Sequence, residues 1–453
     1  MRLGRLIALA VVVLGLGAYI VLVERHAPTT DEKKDRQDKV FPTLTEEQVT
    51  AMTVEGPAGR FVLSKQSGEW RLEEPLADAA DESAVNSVLS SLINLRAERT
   101  LPMSEVNLAD YGLASPPLTV TLLDAKGGTF VLKFGAELPL GATRAALTGG
   151  EKVVLVSKWV GSDLERDLSR WRSSELVRLL SSDVASLSVR TAAGQVALAS
   201  AGGSWTLTEP FGDLADAERI QGVIGDLNAA RIREFLDEPG DLAPLGLEEP
   251  RMTVTVVRRD DRPPLQLAFG AERDVDGVKQ VACRRGERVF WVDASASSRL
   301  SGLAADWRSL KLVALQPWAA ESLRLTRGGE SVELRREDGV WKATGQEVDV
   351  GAVSRRLQVL SELQVVTFDR PQPAGEPAGS VHVTTSGGGE ITVTFYDGSD
   401  AGESLAVVAG RKGVLSVDAA RVAELLEDPA ALTRPTPTPV PAETAAPPGA
   451  AGT

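Results

Sequence analysis

Gly68-Glu69-Trp70-Arg71-Leu72-Glu73-Glu74-Pro75 returns as Gly203-Ser204-Trp205-Thr206-Leu207-Thr208-Glu209-Pro210, and in weaker form as Gly339-Val340-Trp341-Lys342-Ala343. The recurrence makes most of this 453-residue chain one unit of roughly 135 residues built three times. Around each Trp the apolar residues keep fixed offsets. Leu63, Leu198 and Leu334 lie seven positions before it, and Met52/Val54, Leu187/Val189 and Leu323/Leu325 lie eighteen and sixteen before it. Alternation at i and i+2, broken by Gly59, Gly194 and Gly329 and again by Gly68, Gly203 and Gly339, reads as a three-stranded meander with Trp and its i+2 neighbour on the buried face.

An amphipathic helix is expected next. Asp81, Asp216 and Asp349 each stand four residues before the stripes Val85-Val88-Leu89-Leu92, Ile220-Val223-Ile224-Leu227 and Val353-Leu357-Leu360-Leu363. They read as N-caps that accept hydrogen bonds from first-turn amides. Repeats one and two share a second half. Tyr111-Gly112-Leu113 with Pro116 matches Leu245-Gly246-Leu247 with Pro250, strands follow at 119–123 and 253–257, and then the identical tetrads Phe134-Gly135-Ala136-Glu137 and Phe269-Gly270-Ala271-Glu272. Gly in the tetrad suggests a bend or bulge. A closing strand leads into a helix ending at Trp171-Arg172 and Trp307-Arg308. Copy three replaces the Gly-Leu-x-x-Pro loop by a Pro/Gly-rich segment, 369–379, and has no Trp-Arg, as terminal repeats often depart from their neighbours.

Composition narrows the function classes. An apolar fraction of 43% is that of a globular chain. A formal net charge of −14 with no Lys/Arg cluster excludes a polyanion-binding surface of the nucleic-acid type. The single cysteine, Cys283, excludes an intramolecular disulfide and reads as a small core residue. Leu6 to Val23 is an apolar run of eighteen residues after Arg2 and Arg5, with no small-x-small cleavage site behind it, which reads as an uncleaved signal anchor. Arg25, Lys33, Lys34, Arg36 and Lys39 outnumber Arg2 and Arg5 and argue for the opposite topology. Their interleaving with Asp31, Glu32, Asp35 and Asp38 favours the N-terminus inside and the repeats outside. The resulting plan is a cytoplasmic stub at 1–5, a transmembrane signal anchor at 6–23, a charged tether at 24–40, repeats at 41–175, 176–311 and 312–433, the third degenerate, and a disordered Pro/Ala/Thr-rich tail at 434–453.

Residues able to carry chemistry are sparse. His26 stands beside the apolar run and His382 in an expected strand with no companion motif. Asp274-x-Asp276-Gly277 opens like a calcium loop but lacks its closing Glu, and reads as a hairpin turn, as does Asp397-Gly398-Ser399-Asp400. Asp260-Asp261 and Glu248-Glu249 lie in expected loops, where solvated charge is the default. No catalytic, metal-ligating or cofactor-binding residue is assigned. Of the eight tryptophans, Trp70, Trp205 and Trp341 read as core. Trp171 and Trp307 read as packing between repeats, with Trp171, Arg172, Trp307 and Arg308 the candidates for partner contact.

The Trp-x-Leu-x-x-Pro strand, the Asp-capped helix, the Tyr-Gly-Leu-x-x-Pro loop and the Phe-Gly strand, in this order over most of 41–310, resemble the bacterial family called domain of unknown function 4340 (DUF4340). The resemblance implies a single-pass envelope protein whose relatives accompany ABC-type export systems of the kind linked to gliding motility, and it carries no catalytic residues over. The expectation is an α+β fold: three tandem repeats, each a mostly antiparallel sheet with one or two packed helices, after an N-terminal transmembrane helix. The expected location is the inner membrane, with the bulk of the chain in the periplasm. The expected function is a non-catalytic accessory or scaffold subunit of an ABC-type transport assembly, with a permease as partner and no cofactor. The alternative is a module that binds a cell-envelope polymer through exposed aromatics, and a hydrolase with an unrecognised site ranks below both.

Overall fold

The computed structural model describes residues 38–138, 143–149, 152–260, 262–344 and 346–435. The apolar run Leu6–Val23, most of the tether, His26 and the tail from 436 onward lie outside them. The chain separates into two compact units, Met1–Ser174 and Glu175–Thr453.

The first unit holds one nine-stranded antiparallel sheet. Its first half is β1 (Val49–Gly56), β2 (Gly59–Gln66), β3 (Glu69–Glu74) and β4 (Asp78–Ala79). Its second half is β5 (Arg99–Leu101), β6 (Leu118–Asp124), β7 (Thr129–Glu137), β8 (Thr143–Thr148) and β9 (Lys152–Ser157). The order β4-β3-β2-β1-β6-β7-β8-β9-β5 brings the two meanders together along β1 and β6, and β5 closes on β9. Helix α1 (Glu82–Ile93) buries Val85, Val88, Leu89 and Leu92 in the same core as Met52, Leu63, Trp70 and Leu72, which the period-two alternation turns to one face.

The second unit repeats the plan and then varies it. β10 (Val184–Thr191), β11 (Gly194–Ala201), β12 (Ser204–Glu209), β13 (Asp213–Leu214), β14 (Ile232–Leu236), β15 (Met252–Arg258), β16 (Leu265–Val275), β17 (Val278–Arg285) and β18 (Arg288–Asp293) form a sheet of the same order around α2 (Ala217–Ala229). The third sheet has eight strands: β19 (Ala320–Arg327), β20 (Glu330–Glu337), β21 (Val340–Lys342), β23 (Val365–Arg370), β24 (Gly379–Thr385), β25 (Glu390–Asp397), β26 (Glu403–Val408) and β27 (Val414–Asp418). Here α3 is Val350–Glu362, and β22 (Gln346–Val348) leaves the sheet to pair with β28 (Thr433–Pro435).

Two expectations are corrected. The fold is mostly β, with 47% strand against 20% helix, and not α+β. The second half of each repeat extends the sheet, and the helix expected to end at Trp171 or Trp307 is broken into Trp159–Leu164 and Leu168–Trp171 in repeat one and into Ser295–Ser298 and Ala304–Trp307 in repeat two. No helix among the described residues is long and apolar enough to cross a membrane. The longest named here are thirteen-residue amphipathic helices, whereas a crossing needs about 20 apolar residues.

The Asp caps are as expected. Asp81 accepts from the Ala84 amide, Asp216 from Glu218 and Arg219, and Asp349 from Ala352. The bulge in the Phe-Gly tetrad also forms, between Phe134 and Glu137 and between Phe269 and Glu272.

Candidate functional site

Trp171 and Trp307 are fully buried, each within the core of its own repeat rather than between repeats. Their main chains explain the position. The Trp171 carbonyl accepts from the Asp81 amide and the Trp307 carbonyl from the Asp216 amide, both at 2.9 Å, so each Trp fixes the N-cap of its own helix. In repeat three Leu432 takes that place and accepts from Asp349 at 2.9 Å. The indole N–H groups of Trp171 and Trp307 find no hydrogen-bond acceptor among the described residues. Phe61 lies 6.2 Å from the Trp171 ring, and the Arg219 guanidinium stands 4.7 Å over Trp307.

The arginine after each Trp is buried against an aspartate that sequence reading missed. Arg172 donates from Nε to Asp78 Oδ2 at 2.8 Å. In the second unit the corresponding pair, Arg308 and Asp213, becomes a larger cluster. Asp213 is wholly buried and accepts from Arg308 Nε, from Arg411 Nε at 2.7 Å and from its neighbour's amide, Leu214, at 2.7 Å. Arg308 also donates to Asp369 Oδ2 at 2.8 Å and to the Lys412 carbonyl at 2.7 Å, with its guanidinium 4.1 Å from the Phe368 ring. Arg411 reaches the carbonyls of Ser309 at 2.8 Å and Leu312 at 3.1 Å. Burial pushes the pKa of the Arg411 guanidinium below its ordinary value, against the opposing effect of the hydrogen bond it donates to Asp213. Asp213 and Arg308 belong to repeat two, and Asp369, Arg411 and Lys412 to repeat three. Desolvated charges persist only when paired and fully coordinated, and here that requirement makes the cluster a cross-link between the two repeats.

The remaining candidates resolve locally. His382 sits on β24, half-buried, with Nδ1 2.9 Å from Thr392 Oγ1. Cys283 is packed in the core of repeat two. Asp276 and Gly277, both with positive φ, form the two-residue turn between β16 and β17, and Asp274 caps the Gly277 amide at 2.8 Å.

A cleft of about 1020 Å³ opens in repeat two beside Arg251, Glu272, Lys279, Asp293 and Ser297. Its carboxylates are engaged: Glu272 by Arg251 at 2.5 Å and Asp293 by Arg233 at 2.6 Å. At the equivalent register position repeat one has Arg144 where repeat two has Val281. Arg144 is buried there and donates to the Gly135 carbonyl at 2.7 Å and to Glu165 at 3.0 Å.

The family model described as Domain of unknown function (DUF4340) matches this chain twice, over residues 70–240 and 205–380. No curated protein matches it. The two matches begin at Trp70 and Trp205, equivalent positions of successive repeats, so the family's unit follows the internal period of the sequence. Together they span more than half of the chain, which belongs to the DUF4340 family.

Proposed function

We propose that this protein is a non-catalytic scaffold, an accessory subunit of an ABC-type membrane transport assembly, held at the inner membrane with its sheets in the periplasm. The observation that carries the reading is the cluster of Asp213, Arg308, Asp369 and Arg411. Arg308, which follows Trp307, is spent on fixing repeat two to repeat three. A block of repeats fixed in this way suits docking to partners over two neighbouring surfaces. The apolar run Leu6–Val23 behind Arg2 and Arg5 supports the location, and the sequence resemblance supports the transport association. Residence at a membrane raises the effective concentration of the block near other membrane proteins, so a weak interface suffices to hold a complex.

The test uses the full chain, because ending it after Leu310 would strip Asp369 and Arg411 from the buried Arg308 and Asp213. Gently solubilised protein should co-purify with a transporter permease, and crosslinking in intact cells should capture the same subunit. Capture of cell-wall glycan alone, with no membrane protein, would defeat the reading.

A further inference from the structure

On the sheet face opposite the core, one patch of repeat three carries charge where its two siblings carry none. The cross-strand row Val62–Thr53–Thr121 of repeat one is Ala197–Ser188–Thr255 in repeat two and Glu333–Arg324–His382 in repeat three. The next row, Ser64–Ala51–Leu123 and Ala199–Ser186–Val257, becomes Arg335–Ser322–Thr384. Two rows that are uncharged in two copies thus become charged in the third. The middle residue of the short helical turn before the first strand changes as well: Glu47 and Ser182 correspond to Trp318, which is 74% exposed. Arg336 joins the two features, since it lines the groove over these rows and donates from Nη1 to the Trp318 carbonyl at 2.9 Å.

We propose that this face of repeat three binds a neutral carbohydrate chain, with a sugar ring stacked on Trp318 and its hydroxyls hydrogen-bonded along the groove. The groove holds about 470 Å³, and every residue lining it is polar or charged. The centre of a protein interface is depleted of charged residues, so this lining disfavours a protein partner. Glu321, Glu333 and Glu337 alternate with the arginines, which disfavours a polyanion.

Planar polar groups beside one exposed aromatic suit a ligand with an apolar ring face and a rim of hydroxyls. The donors are already aimed. Glu333 receives Nε and Nη2 of both Arg324 and Arg335, at 2.7 to 3.2 Å, which fixes both guanidinium planes. Nη1 of each arginine and Nε2 of His382 have no partner among the described residues and remain for a ligand. The inference does not rest on the scaffold reading.

The sibling repeats supply the variants. Trp318→Ser, Arg324→Ser and Arg335→Ala install residues that repeat two carries at the same places, so the fold should be kept. Calorimetric titration of the full chain with β-1,4-linked hexamers of N-acetylglucosamine and of glucose should show saturable binding to at least one. Trp318→Ser should weaken it at least tenfold, and the two arginine variants about fivefold each, with the thermal midpoint unmoved. No binding to either hexamer or to purified peptidoglycan overturns the proposal, as does wild-type affinity in Trp318→Ser. A photocrosslinker at position 318 that captures a protein in cells would reassign the face to a protein partner and overturn it too.

Discussion

Cys283 shows how a residue with chemical potential is made inert by its place. It lies on β17 opposite Phe269 and Phe290, and burial pushes its thiol from the ordinary 9.0 up to about 12, with Arg285 pulling weakly the other way. In the unfolded chain the thiol ionises near its ordinary value, and in the folded chain only near 12. Its contribution to stability is therefore complete below about pH 9 and is lost as pH rises toward 12. Between pH 8 and pH 10.5 the wild type should lose about 2 kcal/mol more than Cys283→Val, as read from denaturant midpoints, since each tenfold change in an ionisation equilibrium is worth about 1.4 kcal/mol. Equal losses in the two proteins would mean that the thiol is reached by water in the native state.

Among the elements, the Phe-Gly-Ala-Glu tetrad and the Gly-Leu-x-x-Pro loop are two halves of one contact. The Ala136 amide donates to the Tyr111 carbonyl and the Ala271 amide to the Leu245 carbonyl, each at 2.8 Å. A Cβ on Gly135 or Gly270 would lie 2.1 Å from that same carbonyl oxygen, so only glycine lets the loop settle on the bulge. Copy three, with Tyr396 after Phe395, has lost the glycine and the loop together. Gly270→Ala should cost on the order of 1 to 3 kcal/mol, the range of overpacking, and should raise amide exchange over 242–250 before the rest of the repeat. Unchanged exchange there would show that the loop does not depend on the bulge.

The strands and caps were legible because a fixed offset from each Trp carries them. The closing strands β5 and β14 were not, being short and interrupted by charge at Arg99 and at Arg233-Glu234. Asp78 and Asp213 were also missed, although Asp-x-x-Asp recurs at Asp78-Asp81 and Asp213-Asp216 and becomes Gln346-Asp349 in the copy that also lacks Trp-Arg. That joint loss was the available sign that the aspartate and the arginine are partners.

For the whole molecule, the question is whether repeats two and three behave as one body. Their cores are separate clusters, one from Leu176 to Trp307 and the other from Leu312 to Leu432, so hydrophobic burial alone would let them unfold independently. The charged cluster opposes this, because opening either repeat leaves Asp213 or the two arginines desolvated without their partners, a cost of about 3 to 5 kcal/mol where one member of a buried pair is removed. The exposed surface of repeat three, including Trp318, is then held in a constant relation to repeat two. Arg411→Ala tests this, because it removes a side chain of repeat three that is paired with Asp213 while leaving the Arg308–Asp213 pair in place. The wild-type second unit should lose protection in both repeats together when native-state exchange is followed against denaturant. Arg411→Ala should let the segment after Leu310 open at lower denaturant than 176–307. If the two segments still open together in the variant, Arg411 does not enforce the coupling, which then rests on the contacts of Arg308 with Asp369 and Lys412 or on the backbone of the junction.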